Sequence, residues 1–282
     1  MKNIKIKCPA KINLTLEIVN KREDGFHNIK SIMQNVNLYD YLDIKLSQSD
    51  ENSISLSGNS TDIPYNESNL VYKAAKLFFE NTKINGYKLD IQIEKHIPVS
   101  AGLAGGSTDA AGTLLGLNIL NNNILSEEKL HELCAKLGSD LNVCLKGGCV
   151  LATGRGEKTT KLNALNYPIT IIKPKNLGIS AKEAYTKYSE KLIKPQNNMT
   201  EKMSEAIKNN SDIKPFLYND LEYAVYDDYK ELQYIKSKIP NSIMSGSGSA
   251  FFVPENLKTN KLGDEYEFIN NLNFIPSGVE AV

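Results

Sequence analysis

The densest chemistry in the chain lies in one run, Val99-Ser100-Ala101-Gly102-Leu103-Ala104-Gly105-Gly106-Ser107-Thr108-Asp109. Its glycines let backbone N–H groups approach the oxygens of an anion. A helical pattern starts directly behind them, and its N-terminus would add partial positive charge. Ser107 and Thr108 stand where their hydroxyls could meet a phosphate or the water shell of a metal ion. The same residues would also serve as a strand-to-helix packing turn whose hydroxyls only cap. A G-x-x-x-x-G-K-[ST] loop, a G-x-G-x-x-G fingerprint and the H-R-D and D-F-G motifs of protein kinases are all absent, so a nucleotide site here belongs to another lineage. Ten of the 18 glycines fall between Gly102 and Gly156, which concentrates the special backbone geometry, and the expected chemistry, in that stretch.

The elements that must position this loop follow from periodicity. Ile4, Ile6 and Cys8 alternate with lysines, and Ile12, Leu14, Leu16 and Ile18 alternate with polar residues; Pro9 predicts a bend over 8–11 between two strands. Residues 20–25 end in Asp-Gly, a hairpin signal. Strands are expected over 29–38, 41–46 and 53–57. Leu70, Ala74, Leu77 and Phe78 recur at helical spacing, with Asn66 or Ser68 as cap. The alternation of Leu89, Ile91 and Ile93 gives a strand that runs into the glycine-rich loop. The helix behind the loop carries Ala110, Ala111, Leu114, Leu115 and Leu117. The next starts at Ser126, with Glu127 and Glu128 on its positive end, and stops at Gly138. Residues 147–156 read as strand and turn. Beyond Leu162 the texture changes: a strand over 169–172, helices over 181–188, 200–208 and 221–239, a solvated Lys/Asn/Ser-rich connection within 189–215, and a strand into a Ser/Gly loop, 245–249, that is flexible by composition. This shift predicts domains of 1–160 and 161–282. Mixed strands and helices without regular βαβ alternation predict an α+β fold.

Composition removes several function classes. The 282 residues carry 33 Lys+Arg and 33 Asp+Glu, a formal charge of zero. Phosphate-tracking proteins and proteins held on membranes by charge carry a basic excess, so neither nucleic acid nor a membrane is an expected partner. No apolar run nears the roughly 18 residues of a membrane span, and residues 1–7 alternate charge with Ile, unlike a signal peptide. A cytoplasmic, soluble protein is expected. Cys8, Cys134, Cys144 and Cys149 form no C-x-x-C pair and have no His cluster beside them, so they are expected as reduced thiols and not as metal ligands.

Two further motifs flank the loop: Pro9-Ala10-Lys11-Ile12-Asn13 near the start and Ser245-Gly246-Ser247-Gly248 near the end. In this order, across the whole chain, the three resemble the GHMP small-molecule kinases. Arg22-Glu23-Asp24-Gly25-Phe26-His27, Leu137-Gly138-Ser139-Asp140 and Asn219-Asp220-Leu221-Glu222 sharpen the resemblance to one branch. That branch phosphorylates a cytidyl diphosphate-linked methylerythritol in non-mevalonate isoprenoid synthesis. The resemblance implies an N-terminal ATP-binding domain similar to the second domain of ribosomal protein S5, a ferredoxin-like substrate-side domain, and a site in the cleft between them. It implies transfer of the γ-phosphoryl of ATP to the 2-hydroxyl of 4-diphosphocytidyl-2-C-methyl-D-erythritol, with Mg²⁺ on the triphosphate and metal ligands unassigned, in a monomer or weak homodimer.

The resemblance also implies roles. Asp140, otherwise an N-cap following Gly138-Ser139, becomes the general base. Lys11, otherwise a surface lysine beside a bend, becomes its electrostatic partner. Asn13, on the same strand face, would contact the erythritol hydroxyls. His27 would read the cytosine edge, with Phe26 and Tyr185 stacked on the ring. Pro98, Val99, Ser100, Ala101, Gly102, Leu103, Ala104, Gly105, Gly106, Ser107 and Thr108 would cradle phosphate, and Asn69 and Lys95 would contact adenine and ATP. His96 and His131 carry no functional argument, and His131 is expected in solvent. Four departures from the family pattern stand out: Ala104 for Gly, Thr108 for Ser, Phe26 for Tyr, and Asn142 where Pro is usual. Ala104 is expected at negative φ, because a left-handed Ala costs about 1 kcal/mol or more. Asn142 is expected to loosen the backbone that holds Asp140. A mevalonate- or homoserine-type kinase would have no use for Phe26, His27 and Tyr185. A non-catalytic nucleotide binder on the same fold would have none for the pair Lys11 and Asp140.

Overall fold

Two long strands organise the molecule. In the computed structural model, which describes residues 1–191, 193 and 198–282, β1 (Lys2–Lys21) and β2 (His27–Gln48) pair antiparallel along nearly their whole length. The sequence pattern suggested shorter strands on either side of Pro9. Instead the ladder shifts register between Pro9 and Ala10, a bulge that tolerates the missing N–H, and the strand continues.

The chain continues through β3 (Ser53–Gly58), α1 (Leu70–Thr82), β4 (Tyr87–Glu94), α2 (Gly105–Leu120), α3 (Glu127–Leu137), α4 (Leu141–Lys146), β5 (Cys149–Gly154) and β6 (Lys158–Lys161). Then come β7 (Pro168–Pro174), α5 (Ala181–Glu190), α6 (Met199–Lys208), β8 (Tyr218–Asn219), α7 (Asp220–Val225), α8 (Lys230–Lys238), β9 (Ile243–Met244), β10 (Phe251–Val253), β11 (Tyr266–Asn273) and β12 (Glu280–Ala281). The first sheet runs β12-β1-β2-β4-β3, with β5 on β2, β6 on β5 and β8 parallel to β1; the second runs β11-β7-β10-β9, antiparallel throughout. The last strand of the first run ends at Lys161 and the second sheet opens at Pro168, while β8 and β12 return to the first sheet.

α2 is apolar and buried on almost every side, the pattern of a central helix. It lies on the Ile6, Leu42 and Ile44 face of the first sheet, under α1, α3 and α4. The second sheet is buried on both faces. Phe251 and Val253 of β10 face α5, α7 and α8, whereas Phe252 faces α6 and the Ile12, Leu14 and Ile32 side of the first sheet. Leu16, Ile18 and Met33 join the first of these clusters, so residues of both halves of the chain pack together in each of the two.

Local signals behave as their physics dictates, with instructive exceptions. Ser126 caps α3 through Lys129 N, and Gly138 ends it, as its sequence predicts. α1 is capped by Asn69 instead, because Asn66 is spent accepting the Ser68 N–H and hydroxyl in the preceding turn. The helix expected over 221–239 is broken by a 3-10 turn, Tyr226–Asp228. Asp228 there is drawn to Lys187 of α5 (2.7 Å) and to Lys191 just after it (3.2 Å). The connection expected within 189–215 lies partly outside the described residues. His131 is half-buried and bonded to Asn142 Oδ1 at 3.0 Å, not solvated. Among the described residues no helix is long and apolar enough to cross a membrane.

All four cysteines are buried and free. Burial pushes their thiols up, Cys134 and Cys149 to about 12. A thiol-specific aromatic disulfide should therefore label the folded chain negligibly at pH 8, and all four positions on unfolding in guanidinium, read by absorbance.

Candidate active site

β4 leads through His96, Ile97 and Pro98 into the glycine-rich loop, and α2 leaves it at Gly105. The loop's carbonyls are tied back to the body. Gly102 O accepts from Lys11 Nζ (3.1 Å) and Ser245 Oγ (3.0 Å), Leu103 O from Lys11 N (3.1 Å), and Ala101 O from Ala250 N (3.2 Å). α2 has no side-chain cap, so the amides of its first turn remain donors for a ligand. Gly102 has φ +73°, and a Cβ there would sit 1.9 Å from Ser245 O, so only glycine lets the two loops touch. The Ser245–Ser249 segment is not the flexible turn its composition suggests. Ser245 and Ser249 are fully buried, and Asn219 Nδ2 donates to Met244 O and Gly246 O at 2.7 and 2.8 Å.

Two expectations about the loop are corrected. Ala104 takes φ +59°, ψ +28°, the left-handed conformation, because the chain must turn sharply there to let Ala104 O accept from Thr108 N and start the helix. Thr108 is fully buried and lines neither cavity beside the loop. One residue beyond Ser107 is about 100° further round the helix, which turns the hydroxyl into the core while its N–H serves the helix. Ser107 alone of the pair faces a ligand space.

The loop is a wall between two cavities. One, of about 300 Å³, is lined by Asn69, Lys95 and residues 98–107. The other, of about 950 Å³, is lined by Lys11, Asn13, Phe26, His27, Asp140 and Tyr185, among others. Gly102, Ala104 and Ser107 face both.

On the larger side, Lys11 is buried on β1. Its Nζ meets Asn13 Oδ1 (2.7 Å), Gly102 O (3.1 Å) and Asp140 Oδ2 (3.3 Å). Asp140 stands at the N-cap position of α4 without capping it, and its half-buried carboxylate opens on the cavity. Asn142 fastens this region instead of loosening it: its Nδ2 donates to Glu157 O at 2.9 Å, while its Oδ1 meets His131. Asn13 gives Nδ2 to Ser31 Oγ at 2.8 Å, so both ends of its amide hold protein groups in place.

Further along the same cavity, His27 stacks on Tyr185 with ring centroids 5.2 Å apart and 19° between planes, and its Nε2 lies 3.2 Å from Ser189 Oγ. Burial, helped by the nearby Lys21 charge, lowers its pKa and favours the neutral ring. Phe26 is half exposed, and the Arg155 guanidinium lies 5.2 Å above its ring. Phe26 and Tyr185 thus share one cavity as two separate stacks, not as a ready-made parallel pair. Lys21, Arg155 and Lys182 line this space too. The sequence reading missed them, because single lysines and arginines carry no spacing signal.

On the smaller side, Asn69 accepts from Val71 N (2.9 Å) and donates to Pro64 O (2.6 Å), so its amide is engaged. Lys95 is buried between Asp40 and Asp109, the latter at 2.9 Å. Burial works against the Lys95 charge, but the two carboxylates outweigh it and raise its pKa. Burial also lifts Asp109 to about 7, against the pull of Lys95. No group of three or more His, Cys, Asp or Glu placed to hold a metal ion occurs among the described residues.

Residues 69–149 match the model of the GHMP kinases N terminal domain. Over 255 residues the chain is 42% identical to the 4-diphosphocytidyl-2-C-methyl-D-erythritol kinase of Clostridium botulinum (strain Eklund 17B / Type B), covering 88% of this chain and 89% of the relative. The enzyme of that name from Prochlorococcus marinus (strain MIT 9301) is 40% identical over 266 residues, with 88% and 85% covered. This chain belongs to the 4-diphosphocytidyl-2-C-methyl-D-erythritol kinase family. A crystal structure of 4-(cytidine 5'-diphospho)-2C-methyl-D-erythritol kinase superposes with a TM-score of 0.72 at 31% identity, covering 88% of this chain and 89% of that one. Homoserine kinase from Cytophaga hutchinsonii superposes at 0.75 with 18% identity, a likeness of fold. The architecture is that of the α+β GHMP kinases, and the chain is an ATP-dependent small-molecule kinase.

Within this family fold, the left-handed Ala104 carries a local cost. Ala104→Gly should stabilise the folded chain by about 1 kcal/mol, read from urea unfolding with an unchanged m-value. An Ala104→Gly variant less stable than the parent would show that the turn does not hold this conformation in solution.

Proposed function

We propose that the chain transfers the γ-phosphoryl of ATP to the 2-hydroxyl of 4-diphosphocytidyl-2-C-methyl-D-erythritol, a step of non-mevalonate isoprenoid synthesis. The observation that carries this reading is the loop that walls one cavity from another, with the Lys11–Asp140 pair on the larger side. Gly102, Ala104 and Ser107 line both cavities, so a donor phosphate held at this part of the loop stands beside the cavity that Asp140 lines.

Phosphoryl transfer asks for in-line positioning and electrostatic stabilisation more than covalent help. The Gly105, Gly106 and Ser107 amides, with the positive end of α2, hold the triphosphate. Asp140 takes the hydroxyl proton as the 2-oxygen attacks the γ-phosphorus and the bond from that phosphorus to the β,γ-bridging oxygen breaks, releasing ADP. Lys11 favours the ionised carboxylate and offsets the charge that builds on the transferring group. Its bond to Gly102 O keeps the base and the cradle in register. Bound Mg²⁺ would neutralise triphosphate charge; the single Ser107 hydroxyl and the Asp140 carboxylate fit an ion held mainly by the phosphates.

His27 takes the cytosine edge at the far end of the cavity, with Tyr185 and Phe26 as apolar faces, and Lys21 and Arg155 offset the diphosphate. Residues 1–160 supply the nucleotide side, and residues 161–282 supply Tyr185 and the Ser245–Ser249 support. A mevalonate- or homoserine-type substrate has no ring for the His27 and Tyr185 wall. A nucleotide sensor has no need of a base beside the loop.

The test is turnover of the cytidyl alcohol against mevalonate and homoserine. Asp140→Asn should lower kcat by about 10²- to 10⁴-fold while nucleotide affinity holds. His27→Ala should raise KM for the cytidyl alcohol about tenfold, a loss of roughly 1.4 kcal/mol. Unchanged kcat in Asp140→Asn would overturn the base assignment, and preference for mevalonate or homoserine would overturn the substrate.

A further inference from the structure

Asp40 lies in none of the motifs that announce the site, yet both ends of the glycine-rich loop converge on it. It sits on β2, with no surface exposed. Its Oδ1 accepts from His96 N at 2.6 Å and Ile97 N at 2.8 Å, the two residues by which the chain enters the loop. Its Oδ2 binds the Lys95 ammonium. Lys95 reaches on to Asp109 Oδ2 at 2.9 Å, the fifth residue of α2, just past its first turn, where the chain has left the loop. The three side chains are all buried to 95% or more. A Cβ on Gly105 would lie 3.0 Å from Lys95 Nζ and 3.4 Å from Asp40 Oδ2, so the ion cluster presses directly under the first residue of the helix.

Buried charges are tolerated only where partners compensate them, and removing one partner leaves a costly uncompensated group. Asp40 is fully partnered, while the buried Asp109 Oδ1 has no hydrogen-bond partner. Two carboxylates thus share one ammonium, and the better-bonded one is the fixed point. Asp40 also lies opposite Cys8 in the β1–β2 ladder, three residues along β1 from Lys11. The strand pair that places the base's partner therefore also places the anchor of the loop.

We propose that Asp40 is a positioning residue that clamps the entry and exit of the phosphate loop through the His96 and Ile97 amides and the Lys95–Asp109 bridge, and that Lys95 acts on nucleotide through this clamp, not by contact. This rests on the reading that residues 98–107 hold ATP phosphates. Lys95 lines the smaller cavity, but its ammonium is already shared between two carboxylates. In this arrangement the clamp sets how well the loop amides are aimed, and leaves the alcohol side untouched.

The decisive experiment is a double-mutant cycle on the full chain with a non-hydrolysable ATP analogue, read by calorimetry. Asp40→Asn keeps an acceptor for the two amides but removes the charge that holds Lys95; Lys95→Met removes the ammonium. Each should raise the analogue's Kd at least tenfold and leave the KM for the alcohol within twofold. The double variant should be no weaker than the worse single one. Hydrogen exchange over residues 98–104 should quicken at least tenfold in either variant without ligand, while the β1–β2 ladder stays protected. An additive cycle would mean that Lys95 contacts nucleotide directly and would overturn the proposal, as would unchanged exchange in the loop. If Asp40→Asn does not fold, Lys95→Met carries the exchange test alone. A wild-type chain that binds the analogue but phosphorylates no cytidyl alcohol would sink the substrate reading and leave the clamp standing.

Discussion

A buried ammonium must find acceptors, and the site is built around how Lys11 finds them. Burying a charge without partners costs far more than a domain's whole margin of stability can absorb. Lys11 meets the demand with the Asn13 amide, the Gly102 carbonyl and the Asp140 carboxylate. These come from β1, from the glycine-rich loop and from the start of α4. One cation thereby draws together the strand, the glycine-rich loop and the Asp140 carboxylate. Ser245 repeats the link from the second half of the chain, donating its hydroxyl to the same Gly102 carbonyl. The arrangement of the site is thus a consequence of satisfying one buried charge.

The charge count of the whole chain is zero, which excludes a broad basic surface but not two anionic substrates in one cleft. Oriented amides and a helix end can meet phosphate at no cost in net charge, and a few cations line the larger cavity. Behind the loop each buried lysine is paired with carboxylates, Lys11 with Asp140 and Lys95 with both Asp40 and Asp109. A low-dielectric cleft makes each of those placements count for more than it would in water.

Much of the site was legible because its signals are local. Glycines between a strand and a helix announce an anion loop, Ser126 with acidic residues behind it announces a helix start, and a Gly ends one. What failed to show was set by contacts distant in sequence. Pro9 interrupts a pattern but not a strand, because β2 absorbs the missing N–H in a bulge. Asp228 leaves its helix for Lys187 of α5 and Lys191 just after it. Ala104 is left-handed because the chain must turn sharply there from the tied-down loop into α2, a demand that no propensity scale contains. Asp40 has no motif around it, since its partners come from β4 and α2.

The sequence by itself determined the motifs that mark the family: a glycine-rich loop between strand and helix, Lys11 and Asp140 in family-like settings, an α+β mix of elements and cysteines without a pairing pattern. These depend on residue type and short-range periodicity, which a linear reading captures. Only the tertiary structure decided which hydroxyl faces the cavities, with Ser107 outward and Thr108 in the core, and which carboxylates each buried lysine meets, Asp140 for Lys11, Asp40 and Asp109 for Lys95. It also decided that His27 and Tyr185 meet as a stack. Those outcomes turn on the phase of a helix against its sheet and on the pairing of charges across the chain, and both are settled only when the elements pack.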